Sequence, residues 1–379
     1  MSRSLHLQKR FLLSILMILC LLVLLRSQEI KKENGITIIK NPMAPITLQD
    51  SPSGLKLQED LCIGKELGKL DYVFGSITSF KVDREGKIYV IDGKDSMIKI
   101  FDDEGKFLKS FGKSGQGPGE FLSPLDLYFI KDDKILILEG RNNRFSYFSK
   151  LGEFIETISL GKYRLWNYLP NSENSIYGEL PSLGKNPFME LMKFDKQMKP
   201  IKKIFSFQIS NVNKPPPFEL YERFLFALGE NDSLIWARNY NYQFDIVDRN
   251  GKTYQRIIKD FKPKKITEKY VKNELKKRYP KRKLNQNIKI PDHWPKHLPI
   301  LLSIFYDDRE NLFVRTSERD EKGCIFYDVF DKQGRYFTKF SHPDNELIKV
   351  IQNNKAYCLI KADDEGIPLI KRYKITWNQ

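Results

Sequence analysis

Histidine is nearly missing from this chain: four in 379 residues, at positions 6, 293, 297 and 342. Histidine is the side chain whose charge changes near neutral pH, so its scarcity leaves little for general acid–base chemistry. There is no HExxH zinc motif, no Ser-His-Asp ordering and no activated cysteine, so no catalytic residue is assigned. Cysteine is equally sparse, with Cys20, Cys62, Cys324 and Cys358. None forms a CxxC pair and the spacing is not a disulfide framework. Cys20 lies in the N-terminal apolar run, and an odd number in the body favours buried free thiols.

A phosphate-binding loop is also missing, although one stretch imitates it. Residues 111–121 read FGKSGQGPGEF, with a Gly-Lys-Ser triplet at the front. A P-loop needs glycine five residues before that triplet's lysine-preceding glycine, at 107, and Phe107 stands there. Pro118 and Pro124 bracket the exit, so no helix N-terminus follows to supply anion-binding N–H groups. The stretch is read as a tight crossover between strands.

Acidic residues are outnumbered, 48 Asp and Glu against 64 Lys and Arg, for a net charge of +16. The excess is concentrated in residues 262–283, KPKKITEKYVKNELKKRYPKRK, where eleven basic residues face two glutamates. Long apolar runs are confined to one, FLLSILMILCLLVLL at 11–25, preceded by Arg3, Lys9 and Arg10. As a helix these fifteen residues would span about 23 Å, short of the ~30 Å hydrocarbon core. The layout is that of an export signal or short signal anchor, and the poor cleavage site LLRSQE favours retention with the start in the cytoplasm. Lipidation of Cys20 is disfavoured, because Leu19 stands where a small residue is expected and the apolar run continues past it. The rest of the chain is therefore expected beyond the membrane, anchored or secreted.

What is abundant is aromatic. Phe and Tyr dominate an aromatic content of 13%, which suits pleated surfaces. One pattern recurs: IKIFDDEGKFLKSF (98–111), FSYFSKLGEFIETI (145–158), LMKFDKQMKPIKKI (191–204), FDIVDRNGKTYQRI (244–257) and YDVFDKQGRYFTKF (327–340). Each is an alternating strand, a polar turn and a second strand. The pivots Phe101, Phe148, Phe194, Val247 and Phe330 are followed four residues later by Gly, except that Met198 stands in the third. Glycine supplies the positive φ of such turns. A further strand opens each unit, and 352–361 with 368–377 make a sixth. Units of forty-odd residues with about four strands are propeller blades. The sequence thus predicts an all-β, six-bladed β-propeller over 33–379, after a leader and linker at 1–32. Residues 54–63, GLKLQEDLCI, are expected to complete the last blade. A basic insertion, 262–299, falls between blades 4 and 5.

The stretch YVIDGKDSMIKIFDDEGKFLKSFGKSGQGPGEFLSP, 89–124, resembles the NHL-type repeat of six-bladed propellers. Over residues 36–379 the chain is similar to a group of exported bacterial propeller proteins, through IIKNPMAPI, LQEDLCIG, YDVFDKQGRYF and LIKRYKITW. That resemblance implies the fold and an exported location, and carries over no catalytic residue.

Four places could carry chemistry. Thr267 is expected to cap a helix of about a dozen residues, with Val271, Leu275 and Tyr279 toward the propeller. Lys269, Lys272, Lys276, Lys277, Arg278, Lys281, Arg282 and Lys283 then form a patch for an anionic partner, a membrane surface before nucleic acid; a merely solvated helix is the plain alternative. His293 and His297 have zinc spacing, but Pro291, Pro295 and Pro299 break the helix that would align them, and Trp294 packing is favoured. Asp92, Asp95, Glu139 and Asn142 could face the channel and hold Ca²⁺, as in propeller lactonases that this fold resembles, or make turn hydrogen bonds. No metal or cofactor site is assigned. The expected function is a monomeric binding or scaffold module for a protein, peptide or glycan on a propeller face, with a metal-dependent propeller hydrolase or lyase as the alternative.

Overall fold

The pivot residues explain the blades. Phe101, Phe194, Val247 and Phe330 each end a third strand, Phe148 stands one residue before the end of its own, and all five are buried. The next residue, Asp102, Asp195, Asp248 or Asp331, accepts the backbone N–H groups two and four residues on, at 2.8–3.0 Å. Ser149 does the same with its hydroxyl. The residue four past the pivot has φ between +64° and +81°, glycine in four turns and Met198 in the other. A non-glycine residue costs about 1–2 kcal/mol there. Met198 offsets this by burying its side chain against the cluster of Phe194 and Tyr168.

A computed structural model describes residues 28–46, 54–65, 69–182, 188–208, 220–278, 290, 292 and 294–378. Strands β1 (Glu29–Glu33), β2 (Ile36–Asn41) and β3 (Gly54–Ile63) precede the first blade. Blade 1 is β4 (Ile77–Val82), β5 (Ile88–Asp92), β6 (Met97–Phe101) and β7 (Phe107–Phe111). Blade 2 is β8 (Pro124–Ile130), β9 (Lys134–Glu139), β10 (Arg144–Ser149) and β11 (Phe154–Ser159). Blade 3 is β12 (Asn167–Pro170), β13 (Ile176–Ser182), β14 (Phe188–Phe194) and β15 (Pro200–Gln208). Blade 4 contains β16 (Phe224–Leu228), β17 (Leu234–Arg238), β18 (Gln243–Val247) and β19 (Thr253–Lys259). Helix α1 (Glu268–Arg278) follows. Blade 5 is β20 (Leu301–Tyr306), β21 (Leu312–Arg319), β22 (Ile325–Phe330) and β23 (Tyr336–His342). Blade 6 is β24 (Glu346–Gln352), β25 (Lys355–Ile360) and β26 (Leu369–Asn378), completed by β3 as expected.

The chain is thus an all-β six-bladed propeller. The first strand of each blade lines the axis, and core clusters of aliphatic and aromatic side chains fill the gaps between blades. Two faces result. One, the crossover face, carries the links between blades and the turns between second and third strands. The other, the turn face, carries the remaining hairpins.

Residues 29–32, read from sequence as linker, instead belong to β1. β2 pairs in parallel with β19, Thr37 opposite Gln255 through Asn41 opposite Lys259, and β1 adds antiparallel outside it. Ile38 and Ile39 are buried there. The pair covers an outer edge that would otherwise expose unpaired backbone groups.

Blades 4 and 5 meet over a buried ion pair. Lys259 is 2% exposed and Asp328 0%, with Nζ and Oδ2 3.3 Å apart. The hydroxyls of Tyr242 and Tyr336 donate to the same carboxylate, and the ammonium lies 4.6 and 4.8 Å from their ring centroids. Removing one member of such a pair leaves an uncompensated buried charge. Asp328→Ala should therefore cost about 3–5 kcal/mol in urea unfolding, while Lys259→Met with Asp328→Leu should recover most of it. A single variant as stable as wild type would contradict this role.

Candidate functional site

The basic insertion is rooted before it projects. The Ile266 N–H donates to the Lys296 carbonyl at 3.0 Å, and the Leu298 N–H to the Lys264 carbonyl at 2.8 Å. Thr267 caps α1 by accepting the Tyr270 N–H on its hydroxyl at 3.2 Å. Val271 is buried with Leu220 and Ile266, while Tyr270, Leu275, Trp294 and Leu298 pack around them. Apolar contact on one side of α1 leaves charge on the other. Lys269 and Lys276 are exposed and Lys272 is half-buried. Lys277 and Arg278 continue the helix backbone. Lys281, Arg282 and Lys283 lie outside the described residues, as do Tyr279 and His293.

Under α1 the crossover-face mouth opens into a cavity of about 1020 Å³. Six cationic side chains line it, Arg223, Lys264, Lys276, Arg315, Arg319 and Lys361, against two carboxylates, Glu274 and Asp344. Asp344 pairs with both Arg315 and Arg319. The Arg315 Nε is buried with no hydrogen-bond partner among the described residues. The sequence singled out only Lys276 of this set. The others come from blades 4 to 6 and the base of the insertion, and only ring closure brings them together.

Below this cavity, Lys349 and Lys81 stand on inner strands. Lys349 on β24 is ringed by the inner strands yet open to water. Its enclosure, followed by the charge of Lys81, pulls its ammonium pKa below the usual value. Lys81 pairs with Asp126 at 3.3 Å and stands 4.1 Å from the Tyr128 ring centroid. At the opposite, turn-face mouth a cavity of about 890 Å³ reverses the balance. Asp83, Asp132, Asp133, Glu173 and Asp232 line it with Arg84, Lys131 and Lys150.

The carboxylates that could have faced a metal are joints between blades. Asp92 accepts the N–H groups of Gly75 and Ser76 at 3.0 and 3.1 Å, with Lys99 at 3.8 Å. Glu139 accepts the Leu122 N–H, the Asn142 amide, Arg144 Nε and the Ser146 hydroxyl. Arg144 in turn donates to the carbonyls of Gln116, Gly117 and Glu120, so the glycine-rich loop points its carbonyls inward at a cation. Asn239 repeats the arrangement in blade 4, accepting the Arg223 N–H at 3.0 Å. Asp95 is exposed. No group of three or more His, Cys, Asp or Glu stands close enough to hold a metal among the described residues. His297 sits in the bridge to Lys265. Cys358 is a buried free thiol 3.5 Å from His342 Nε2, its pKa pushed well up by burial, while Cys62 and Cys324 are free and only half-buried. No helix among the described residues is long and apolar enough to cross a membrane, and the run at 11–25 lies outside them.

Glu179, in the middle of β13, carries no signal in the sequence. It is 6% exposed. Burial lifts its carboxyl pKa to about 7, with the charge of nearby Arg223 pulling the other way. Its carboxyl is the buried acid beside the cationic mouth.

Residues 69–214 match the DUF5128 family model, described as a 6-bladed beta-propeller. Among solved structures, a Bacteroides fragilis protein assigned to export aligns with a TM-score of 0.51 at 12% identity, covering 88% of this chain and 99% of its own. A Bacteroides vulgatus member of the DUF4221 family aligns at 0.48 and 14% identity, covering 86% and 99%. Virginiamycin B lyase from Staphylococcus aureus aligns at 0.39 and 13% identity, covering 84% and 99%. No curated protein matches the sequence. At these identities the likeness carries the propeller fold alone.

The raised Glu179 pKa fixes a sign. The unfolded chain releases this proton near pH 4.5 and the folded chain holds it to about 7, so stability falls as pH rises through that window. Glu179→Gln should be more stable than wild type at pH 8, by up to about 3 kcal/mol, and indistinguishable at pH 4. Denaturation at the two pH values checks this; an equal difference at both would contradict it.

Proposed function

We propose that this chain is an exported binding module that takes an anionic ligand at the crossover-face mouth. One observation carries the reading: six cations against two carboxylates around a cavity of about 1020 Å³. A cleft lined by one sign of charge focuses its field and concentrates ligands of the opposite sign. Arginine adds directional, paired donors suited to carboxylate, phosphate or sulfate groups. The loops of a rigid ring are where a propeller presents such groups. The basic-then-apolar leader with its run at 11–25, and the similarity over 36–379 to exported propeller proteins, support an extracytoplasmic location. The ligand class fits an acidic glycan or peptide end more closely than a neutral one.

Thermal-shift and calorimetric titration with tripolyphosphate, citrate and a heparin disaccharide tests the reading. At least one should stabilise the protein, with the effect reduced in 0.5 M salt. Arg319→Gln with Lys361→Gln should weaken that binding about tenfold or more, given that hydrogen bonds to charged groups contribute about 1.5–3 kcal/mol each. Equal stabilisation by a neutral oligosaccharide, or unchanged binding by the double variant, would count against it.

A further inference from the structure

The N-terminal strands fix where the leader leaves the propeller. β19 ends at the crossover face, and its parallel partner β2 ends beside it, Asn41 opposite Lys259. β1 runs back from that end, Glu29 opposite Lys40. Gln28 therefore lies at the outer rim where blade 4 meets blade 5, its side-chain amide 3.5 Å from Asn41 Oδ1. Asn41 is held by the carbonyls of Gly334 and Ile258 and by the Tyr336 N–H. Its own carbonyl accepts the N–H of Asp260, the residue that opens the path to the basic insertion, at 3.0 Å. Leader exit and insertion base are one corner of the molecule.

We infer that this corner is a membrane-apposed surface, with the crossover face of blades 4 and 5 held against anionic lipid headgroups. The apolar run ends at Leu25, three residues before Gln28. Three extended residues reach about 10 Å, close to the Debye length of ~8 Å at physiological salt. A retained leader therefore holds Lys262, Lys264, Lys265 and Lys269, all exposed, where surface charge acts on them. Ile30 and Met43, 61% and 55% exposed, add apolar side chains at the same corner. The charge polarity of the ring agrees: the crossover-face mouth carries six cations to two carboxylates, the far mouth three to five. A lipid surface is the one occupant that both the leader and the lysines address. The inference does not depend on solute binding in the cavity.

The test uses the full chain in nanodiscs of phosphatidylcholine with 30 mol% phosphatidylglycerol. In a background with Cys20, Cys62 and Cys324 changed to Ser, a dye is placed by Asn273→Cys on α1 or by Lys106→Cys on the turn face. Energy transfer to a headgroup dye should be at least threefold greater from position 273. Pure phosphatidylcholine, 0.5 M salt, or Lys262→Gln/Lys265→Gln/Lys269→Gln/Lys272→Gln should at least halve that difference. Equal transfer from both faces overturns the inference, and so does a difference that ignores lipid charge, which would leave the tether acting alone. A mature protein whose mass lacks residues 1–27 overturns it as well.

Discussion

Everything at the two mouths depends on closure of the ring by β3. The strand pairs antiparallel along β26 from Asn378 opposite Gly54 to Ile370 opposite Ile63. Arg372 fastens this joint, donating through Nε and Nη2 to the two carboxylate oxygens of Asp60 at 3.0 and 3.1 Å and through Nη1 to the Asp103 carbonyl of blade 1. The turn glycine of blade 1 completes the fit: a Cβ on Gly105 would stand 2.6 Å from Leu61 of β3. Closing a ring this way joins residues more than three hundred positions apart. It also sets blade 6 beside blade 1, which is what brings Lys349 and Lys81 into one channel.

A set of buried and turn carboxylates is committed to holding the blades together. Asp92 and Glu139 tie down the crossovers, Asp102, Asp195, Asp248 and Asp331 shape the outer turns, and Asp328 balances Lys259 between blades. Each is an acceptor used by donors of the fold. At the crossover mouth the balance reverses: Asp344 bridges Arg315 and Arg319, and six cations line the cavity with two carboxylates. The surplus of positive charge in the sequence therefore becomes a located field rather than a general property of the surface. Helix α1 lies on the side where that field is positive.

Much of the architecture was legible because it is written in local chemistry. A buried pivot, an Asx or Ser acceptor and a positive-φ residue recur at fixed offsets, and even Met198 keeps the geometry while breaking the letter pattern. Closure by 54–63 was legible because a spare strand needs an edge. The strand pair β1–β2 was not: its alternation is short, and its parallel partner β19 is more than two hundred residues away. The cavity was legible only through Lys276 and the basic run around it. Arg223, Arg315, Arg319 and Lys361 are ordinary surface-type residues in sequence, and Glu179 is one glutamate among many until folding removes its water.

An anion should sit in the crossover-face mouth. Crystals of the protein soaked in bromide, with data collected at the bromine edge, would show it. Anomalous density is expected beside Arg315, Arg319 or Lys361 in the cavity beneath α1, and none in the acidic turn-face cavity. Density at the turn-face mouth with an empty crossover mouth would contradict it.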